Sequence, residues 1–458
     1  MNMKTTTTKQ TLDCPGAGGS PFTARAKRIA TGVLTAAALL STACGNDDSG
    51  GDPYVTISPA TAAIAFSAEA AESYTYKVST NQPVWLPITD QSWCKVEMNP
   101  SEGTFTITAL PNDKTAAPPP ATITVTAGKA APVTINATQE AAAECDVYVS
   151  GSYQTADYNT FACYWKNGVQ KTLPVPEGTV DSHCTSIAAS GGSIYLSGNM
   201  GGTGCYWKDD VRTDLPNSAE SGPSQAFDIA VEGTTVYTLG WGYYWRDKTH
   251  VEVKTPDFTS RALAVSDGKV HIAGQLYISA LGYSANIATY WKDGNAKSLT
   301  APVTTRESDA LCAVCSAGSV YIGGYYSSEG VRYPCYWVGE ACTPLTDVPQ
   351  GMDDCSVQSI AVVNGTVYAA GTCMNSQRDA VLCWTNGKHT ELPLPAGAYN
   401  AKVPGIAVAG GKVFVAGQYQ DRTNKTCACY WVNGRRTDLP KGTDAENFFV
   451  TGIAVVKR

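Results

Sequence analysis

The sequence is poor in charge, in histidine and in long apolar runs. Only 16% of its 458 residues are Asp, Glu, Lys or Arg, while 43% are hydrophobic. A chain unable to bury a core shows the opposite balance, so general disorder is excluded. Basic residues are outnumbered 33 to 40, for a formal net charge of -7. Phosphate backbones require basic surface, which excludes nucleic acid as a partner. Of the four histidines, His271 stands where other repeats place Tyr or Phe, and His250 and His389 follow short turns. Only His183 falls in a long loop. A Ser–His–Asp triad or three-histidine metal site is therefore not expected on the face that carries the long loops, and neither metal nor cofactor is expected. The apolar run Ile29–Leu40 falls far short of the roughly 20 residues that cross a bilayer.

Lys4, Lys9, Arg25, Lys27 and Arg28 precede that run, and Ser41-Thr42-Ala43-Cys44 follows it. A positive segment, a short apolar segment and small residues before a cut site predict an export signal over residues 1–43. Leu40-Ser41-Thr42-Ala43-Cys44 resembles a bacterial lipobox, with Ser41 where that family prefers Leu. The next residues, Gly45-Asn46-Asp47-Asp48-Ser49-Gly50-Gly51, are similar to the acidic surface-export tethers of Bacteroidetes lipoproteins. The resemblance implies cleavage before Cys44, lipid attachment at its thiol, and an outward-facing place on the outer membrane, with residues 44–52 as tether. Cleavage removes five basic residues and one acid, taking the net charge from -7 to -11. Membrane contact is expected through the lipid alone.

Residues 53–140 read as short alternating or β-branched strands, such as Thr75-Tyr76-Lys77-Val78, Phe105-Thr106-Ile107-Thr108 and Val133-Thr134-Ile135-Asn136. Breaks about every 8–12 residues predict an immunoglobulin-like β-sandwich. The segment resembles the BACON family on Ile57-Ser58-Pro59, Val78-Ser79-Thr80-Asn81 ahead of Trp85, then Trp93, Pro100-Ser101-Glu102-Gly103, Thr122-Ile123-Thr124-Val125-Thr126-Ala127-Gly128 and Thr138-Gln139. That resemblance implies association with carbohydrate-degradation systems. Trp85 and Trp93 are expected between the sheets, and the module is expected to be a spacer.

After a linker at 141–145, residues 146–458 repeat. Strands ending in glycine recur at Val147–Gly151, Ile194–Gly198, Val236–Gly240, Val270–Gly274, Val320–Gly324, Val367–Gly371 and Val413–Gly417, at intervals of 47, 42, 34, 50, 47 and 46 residues. Each is followed by a Trp strand, at Trp165, Trp207, Trp245, Trp291, Trp337, Trp384 and Trp431. Four short strands per repeat make a propeller blade. The first repeat lacks a leading strand, and Gly452-Ile453-Ala454-Val455-Val456 at the far end supplies it. The expected fold is all-β: a sandwich followed by a seven-bladed propeller closed by the C-terminal strand. The repeat tryptophans are expected in the core.

Turns joining strands one to two and three to four are short, as at Asn364-Gly365 and Asn433-Gly434, and share one face. The other connections are long, differ in every repeat, and carry most of the loop aromatics. Tyr153, Trp241, Tyr277, Tyr325, Tyr326, Tyr333, Tyr419 and Phe448 are the candidate ligand contacts on that face. The shortened third repeat, Gly240-Trp241-Gly242, predicts a dip in the rim beside Trp241.

Loop acids offer no spacing that selects a pair for glycoside cleavage, so no catalytic residue is assigned. The expected function is non-catalytic binding, most simply of a glycan. A polysaccharide hydrolase or lyase and a protein-interaction scaffold are the alternatives. Among the cysteines, Cys184, Cys342, Cys355, Cys373 and Cys427 are the candidates for pairing, without assigned partners, while Cys312 and Cys315 are expected in blade core.

Overall fold

Alternating burial along short strands organises the whole chain. The computed structural model describes residues 51–69, 72–217, 224–280, 283–440 and 445–458, so the export signal and the lipid site at Cys44 lie outside the described residues. Among the described residues every element is a strand, and Asp52–Arg458 forms one compact unit.

Eight strands make the sandwich: β1 (Val55–Ser58), β2 (Ala63–Phe66), β3 (Ser73–Thr80), β4 (Trp85–Thr89), β5 (Cys94–Asn99), β6 (Thr104–Ala109), β7 (Ala121–Ala127) and β8 (Val133–Gln139). They form sheets of order β1-β3-β6-β5 and β2-β8-β7-β4. Phe66, Tyr76, Phe105, Ile107, Ile123 and Ile135 fill the space between, with Trp85 and Trp93 half-buried against them. The Trp93 indole donates to the Pro119 carbonyl at 3.0 Å.

Seven four-stranded blades follow. Their innermost strands are Ala445–Lys457, Ser182–Ser190, Asp228–Glu232, Phe258–Ser266, Ser308–Ser316, Asp354–Val363 and Tyr399–Ala409, for blades 1 to 7 in turn. Each packs against the next, and blade 7 returns to blade 1. Blade 1 takes its innermost strand from the C-terminus, paired antiparallel to Cys145–Thr155 from Ala445↔Thr155 to Lys457↔Cys145. This closure leaves no exposed inner edge on blade 1.

The repeat tryptophans join blades together. Trp207, Trp245, Trp337, Trp384 and Trp431 are fully buried, and each indole donates to a carbonyl on the connection leaving the preceding blade: Pro174, Pro216, Thr300, Asp347 and Pro393. The short turns are pinned as well. Asn167, Asp209, Asp247, Asn386 and Asn433 adopt positive φ, and each side-chain oxygen accepts the amide that starts strand two. Asn and Asp tolerate that conformation, which explains their recurrence there.

The repeat glycines have a different cause. In six blades the innermost strand carries a β-bulge, as between Cys184/Ser186, Ala310/Cys312 and Val357/Ser359. The bulge drives a backbone carbonyl onto strand two. A Cβ at Gly151, Gly198, Gly274, Gly324, Gly371 or Gly417 would come within 3 Å of the carbonyl oxygens of Phe449, His183, Thr259, Asp309, Ser356 and Lys402 respectively.

The sandwich rests on the short-turn face of blades 6, 7 and 1. Glu69 pairs with Lys457 and accepts the Gly410 amide, Asn364 donates to Glu72, and Asn433 donates to Asp113 at 3.1 Å. The long-loop face is thereby left on the opposite side. One disulfide, Cys355–Cys373, joins the first two strands of blade 6. Cys184 and Cys342 remain thiols, and the Cys427 sulfur lies against the Lys425 carbonyl and Asp421.

Two consequences are measurable. Gly324→Ala, which sets a methyl against the Asp309 carbonyl and the Trp337 ring, lowers unfolding stability by about 3 kcal/mol, whereas Ala at solvent-facing Gly51 changes it by less than about 0.5 kcal/mol. The Cys355–Cys373 bridge closes a separation of 18 residues, so replacing both by Ala costs about 3 kcal/mol. Urea unfolding of the four proteins checks both, and an unchanged midpoint in either case contradicts the corresponding contact.

Candidate ligand-binding face

The bulges also decide what lines the axis. They turn Thr185, Arg261, Leu311, Gln358 and Thr451 inward, as bulges re-aim side chains generally. Phe227 and Pro404 complete this ring, and Ser186, Asp228, Ala262, Cys312, Ser359, Gly405 and Gly452 form the next one down. Together they enclose a channel of about 320 Å³. None of these residues was singled out from sequence except Cys312, which packs against the core of blade 6 as expected and also borders the channel. Burial pushes its thiol up to about 12.

Asp228 is half-buried in the channel wall, and both of its oxygens are used. Oδ1 accepts from Ser186 Oγ at 2.6 Å and the Ile229 amide at 2.9 Å, and Oδ2 accepts from the Leu263 amide at 2.8 Å. One carboxylate therefore ties blades 2, 3 and 4. Burial raises its pKa and these bonds oppose the rise. On the other side of the mouth, Arg261 pairs with buried Asp309 at 3.1 Å, and Arg332 reaches Glu307 at 2.8 Å while lying over the Tyr325 ring.

On the long-loop face, blades 1 to 3 surround an open depression of about 630 Å³. Its lining includes Asp181, His183, Asn199, Gln225, Phe227 and Phe449, and it shares Thr185, Phe227 and Thr451 with the channel. His183 Nε2 meets Asp181 Oδ1 at 2.8 Å. Trp241 stands beside it, 56% exposed. Its indole donates to Gln225 Oε1 at 3.2 Å, and its ring meets Phe227 edge-on at 5.0 Å. The short Gly240-Trp241-Gly242 connection, where the other six blades extend their two middle strands past the repeat glycine as longer hairpins, leaves this indole uncovered.

The other sequence candidates divide. Tyr277 and Tyr333 are exposed, but Tyr333 stacks on Tyr326 at 5.4 Å away from the depression. Tyr153 packs on Phe161 and Phe448, its hydroxyl near Thr172. Phe448, Tyr326 and Tyr419 belong to blade cores, and Tyr325 is 7% exposed with its hydroxyl donated to Glu307 at 3.0 Å. These four therefore present no free ring face. In the C-terminal strand burial alternates, so Phe449 faces out where Phe448 faces in. Asp181, Gln225 and Phe227 were not singled out. The only signal for Phe227 was its place just before Asp228-Ile229, matching Thr185 before Ser186-Ile187.

No protein-family model matches the chain, so the BACON resemblance rests on the residues quoted for it. No curated protein matches it either. Solved structures show likeness at low identity. The Bacteroides ovatus GH5 xyloglucanase in complex with a XXXG heptasaccharide is 24% identical over 19% of this chain and 18% of its own, with TM-score 0.16. The extracellular domain of a hybrid two component system from B. thetaiotaomicron is 9% identical over 62% and 36%, with TM-score 0.40. A DUF4784 family protein from Bacteroides caccae is 9% identical over 88% and 98%, with TM-score 0.27. The chain thus spans under a fifth of the xyloglucanase and little more than a third of the second protein. At these values the likeness bears on neither activity nor ligand.

Asp228 sets a pH dependence. Its folded pKa lies above the ordinary carboxylate value, so the native state holds the proton more tightly than the unfolded chain. Its contribution is fully present below the ordinary carboxylate range and lost as pH rises through the folded pKa. The unfolding free energy of the wild type, relative to Asp228→Asn, is therefore larger at pH 4 than at pH 7. Urea unfolding at both values checks the sign, and a gap that widens with pH contradicts it.

Proposed function

We propose that the chain is a lipid-anchored, cell-surface binding protein that takes a carbohydrate in the depression beside Trp241. The observation that carries this reading is the fixed, exposed indole. An aromatic face held open to solvent gains little in a free monomer, whereas it suits the apolar face of a pyranose ring. Gln225, which holds the indole, lines the adjoining depression together with His183 and Asp181, and these supply the donors and acceptors that hydroxyl groups need. Phe449 offers a second apolar surface across the depression. Hydrolysis of a glycosidic bond commonly takes two carboxylates. The described lining offers one, Asp181, already paired with His183, which favours binding over cleavage. The lipid at Cys44 and the BACON-type sandwich belong to the same reading, with the sandwich on the short-turn face and the long-loop face open.

The test presents residues 45–458 to a panel of immobilised plant and host polysaccharides and reads retention and released sugar together. Retention without products is expected, weakened at least about tenfold by Trp241→Ala, which corresponds to about 1.4 kcal/mol. Phe449→Ala weakens it less, and Tyr333→Ala leaves it unchanged. Released oligosaccharide makes the protein an enzyme. Retention of no glycan overturns the proposal.

A further inference from the structure

The sandwich has two ends of different character. The loops after β2 and β6 carry the propeller contacts of Glu69, Glu72 and Asp113. The opposite end holds the first described residues of the chain and the turns after β3, β5 and β7. There Asn81 ties the incoming chain down: its Oδ1 accepts the Tyr54 amide and its Nδ2 donates to the Asp52 carbonyl, each at 3.1 Å. Thr80 Oγ1 donates to the Tyr54 carbonyl at 2.6 Å.

Beside this point lies an apolar stripe with no partner on the described chain. Val84 is 70% exposed, and Leu86, Ile88 and Tyr54 are each about half exposed. Leu86 and Ile88 alternate along β4, with Val84 in step just before it, and β4 is an edge strand paired only to β7. Pro87 blunts this edge against strand pairing, but an apolar outer row left in water marks a surface that something covers.

We infer that this end of the sandwich seats on the lipid surface, with Tyr54, Val84, Leu86 and Ile88 entering the interfacial layer. The inference rests on the lipid anchor at Cys44 proposed above. Seven residues separate Cys44 from Asp52, a span of at most about 28 Å when fully extended, so a lipid-bound Cys44 keeps the stripe within reach of the membrane. Tyrosine favours the headgroup level, where its ring is apolar and its hydroxyl wet. Lys129, whose amide meets Gln82 at this end, stands with two acids, Glu102 in the turn after β5 and Asp52, so these residues form no basic cluster that would draw anionic lipid. The contact is therefore apolar in character and insensitive to salt. It adds a second membrane contact to the lipid expected from sequence, and it points the long-loop face away from the bilayer.

The experiment reconstitutes the full lipidated chain into phosphatidylcholine–phosphatidylethanolamine vesicles and follows amide hydrogen exchange. The soluble body, residues 45–458, is the reference. Amides of residues 82–89 are expected to exchange at least fivefold more slowly on vesicles, at 0.1 M and 0.5 M salt alike. The triple variant Val84→Ser, Leu86→Ser, Ile88→Ser stays vesicle-bound and loses that protection. Equal exchange in the two states overturns the inference. So does slow exchange in the soluble body that grows with protein concentration, which assigns the stripe to a second copy. The anchor is judged separately, from the acyl mass on Cys44. If it is absent, the body is held by an N-terminal hexahistidine on nickel-chelating lipid and the same exchange comparison decides the seat.

Discussion

One close approach organises the propeller: the bulged innermost strand pressing its carbonyl onto the glycine of strand two. Six blades share it, and in four of them the same glycine also receives the edge of the blade's own tryptophan. Any side chain there would separate the two inner strands and lift the indole from its place. In blades 2, 5 and 7 the indole could then no longer reach the carbonyl on the preceding blade, so there the contact within a blade and the contact between blades stand or fall together. The bulge has a second effect, because the extra residue must point somewhere. Around a closed ring it can only point to the axis, and a local irregularity repeated round the ring thus produces a polar channel mouth.

Blade 3 is the exception on both counts. Asp228 pairs directly opposite Leu239, and a Cβ at Gly240 would meet the Tyr243 ring instead of an innermost-strand carbonyl. This blade has also given up its long loop. Asp228 compensates at the axis, where its carboxylate accepts a bond from the blade on either side. Burying a carboxylate is costly, and three donors on two oxygens offset that cost.

The sequence made the blades legible because glycine, tryptophan and Asn-Gly or Asp-Gly pairs recur at fixed places in each repeat. The returning strand was legible for the same reason, since Gly452-Ile453-Ala454-Val455 matches the six leading strands. Individual rim contacts were not. Whether a loop aromatic faces solvent depends on strand parity beyond the regular blade, and extension of the strand past Gly324 into Tyr325 and Tyr326 put both rings under neighbours. A single step of the same alternation separates buried Phe448 from Phe449. Phe227 escaped notice because its position, filled in other blades by Thr, Arg, Leu and Gln, carries no residue signature, and Gln225 because it sits in an irregular connection. Trp241 was legible because it followed from a length difference, and a missing loop cannot cover what it leaves behind.

Irregularity and exposure therefore coincide at one place on the ring. A symmetric propeller presents equivalent surfaces and gives no ligand a preferred blade. Shortening one repeat breaks the symmetry, opens the depression between blades 1 and 3, and leaves one indole fixed by Gln225 and Phe227. Both of those residues sit on the connection entering blade 3, so the same shortened repeat exposes the ring and supplies its supports. The sandwich occupies the opposite face, held by Glu69, Glu72 and Asp113 to short turns that vary little in length. Holding turn length nearly constant on one face and varying it on the other lets a single scaffold keep a constant attachment while its opposite face changes.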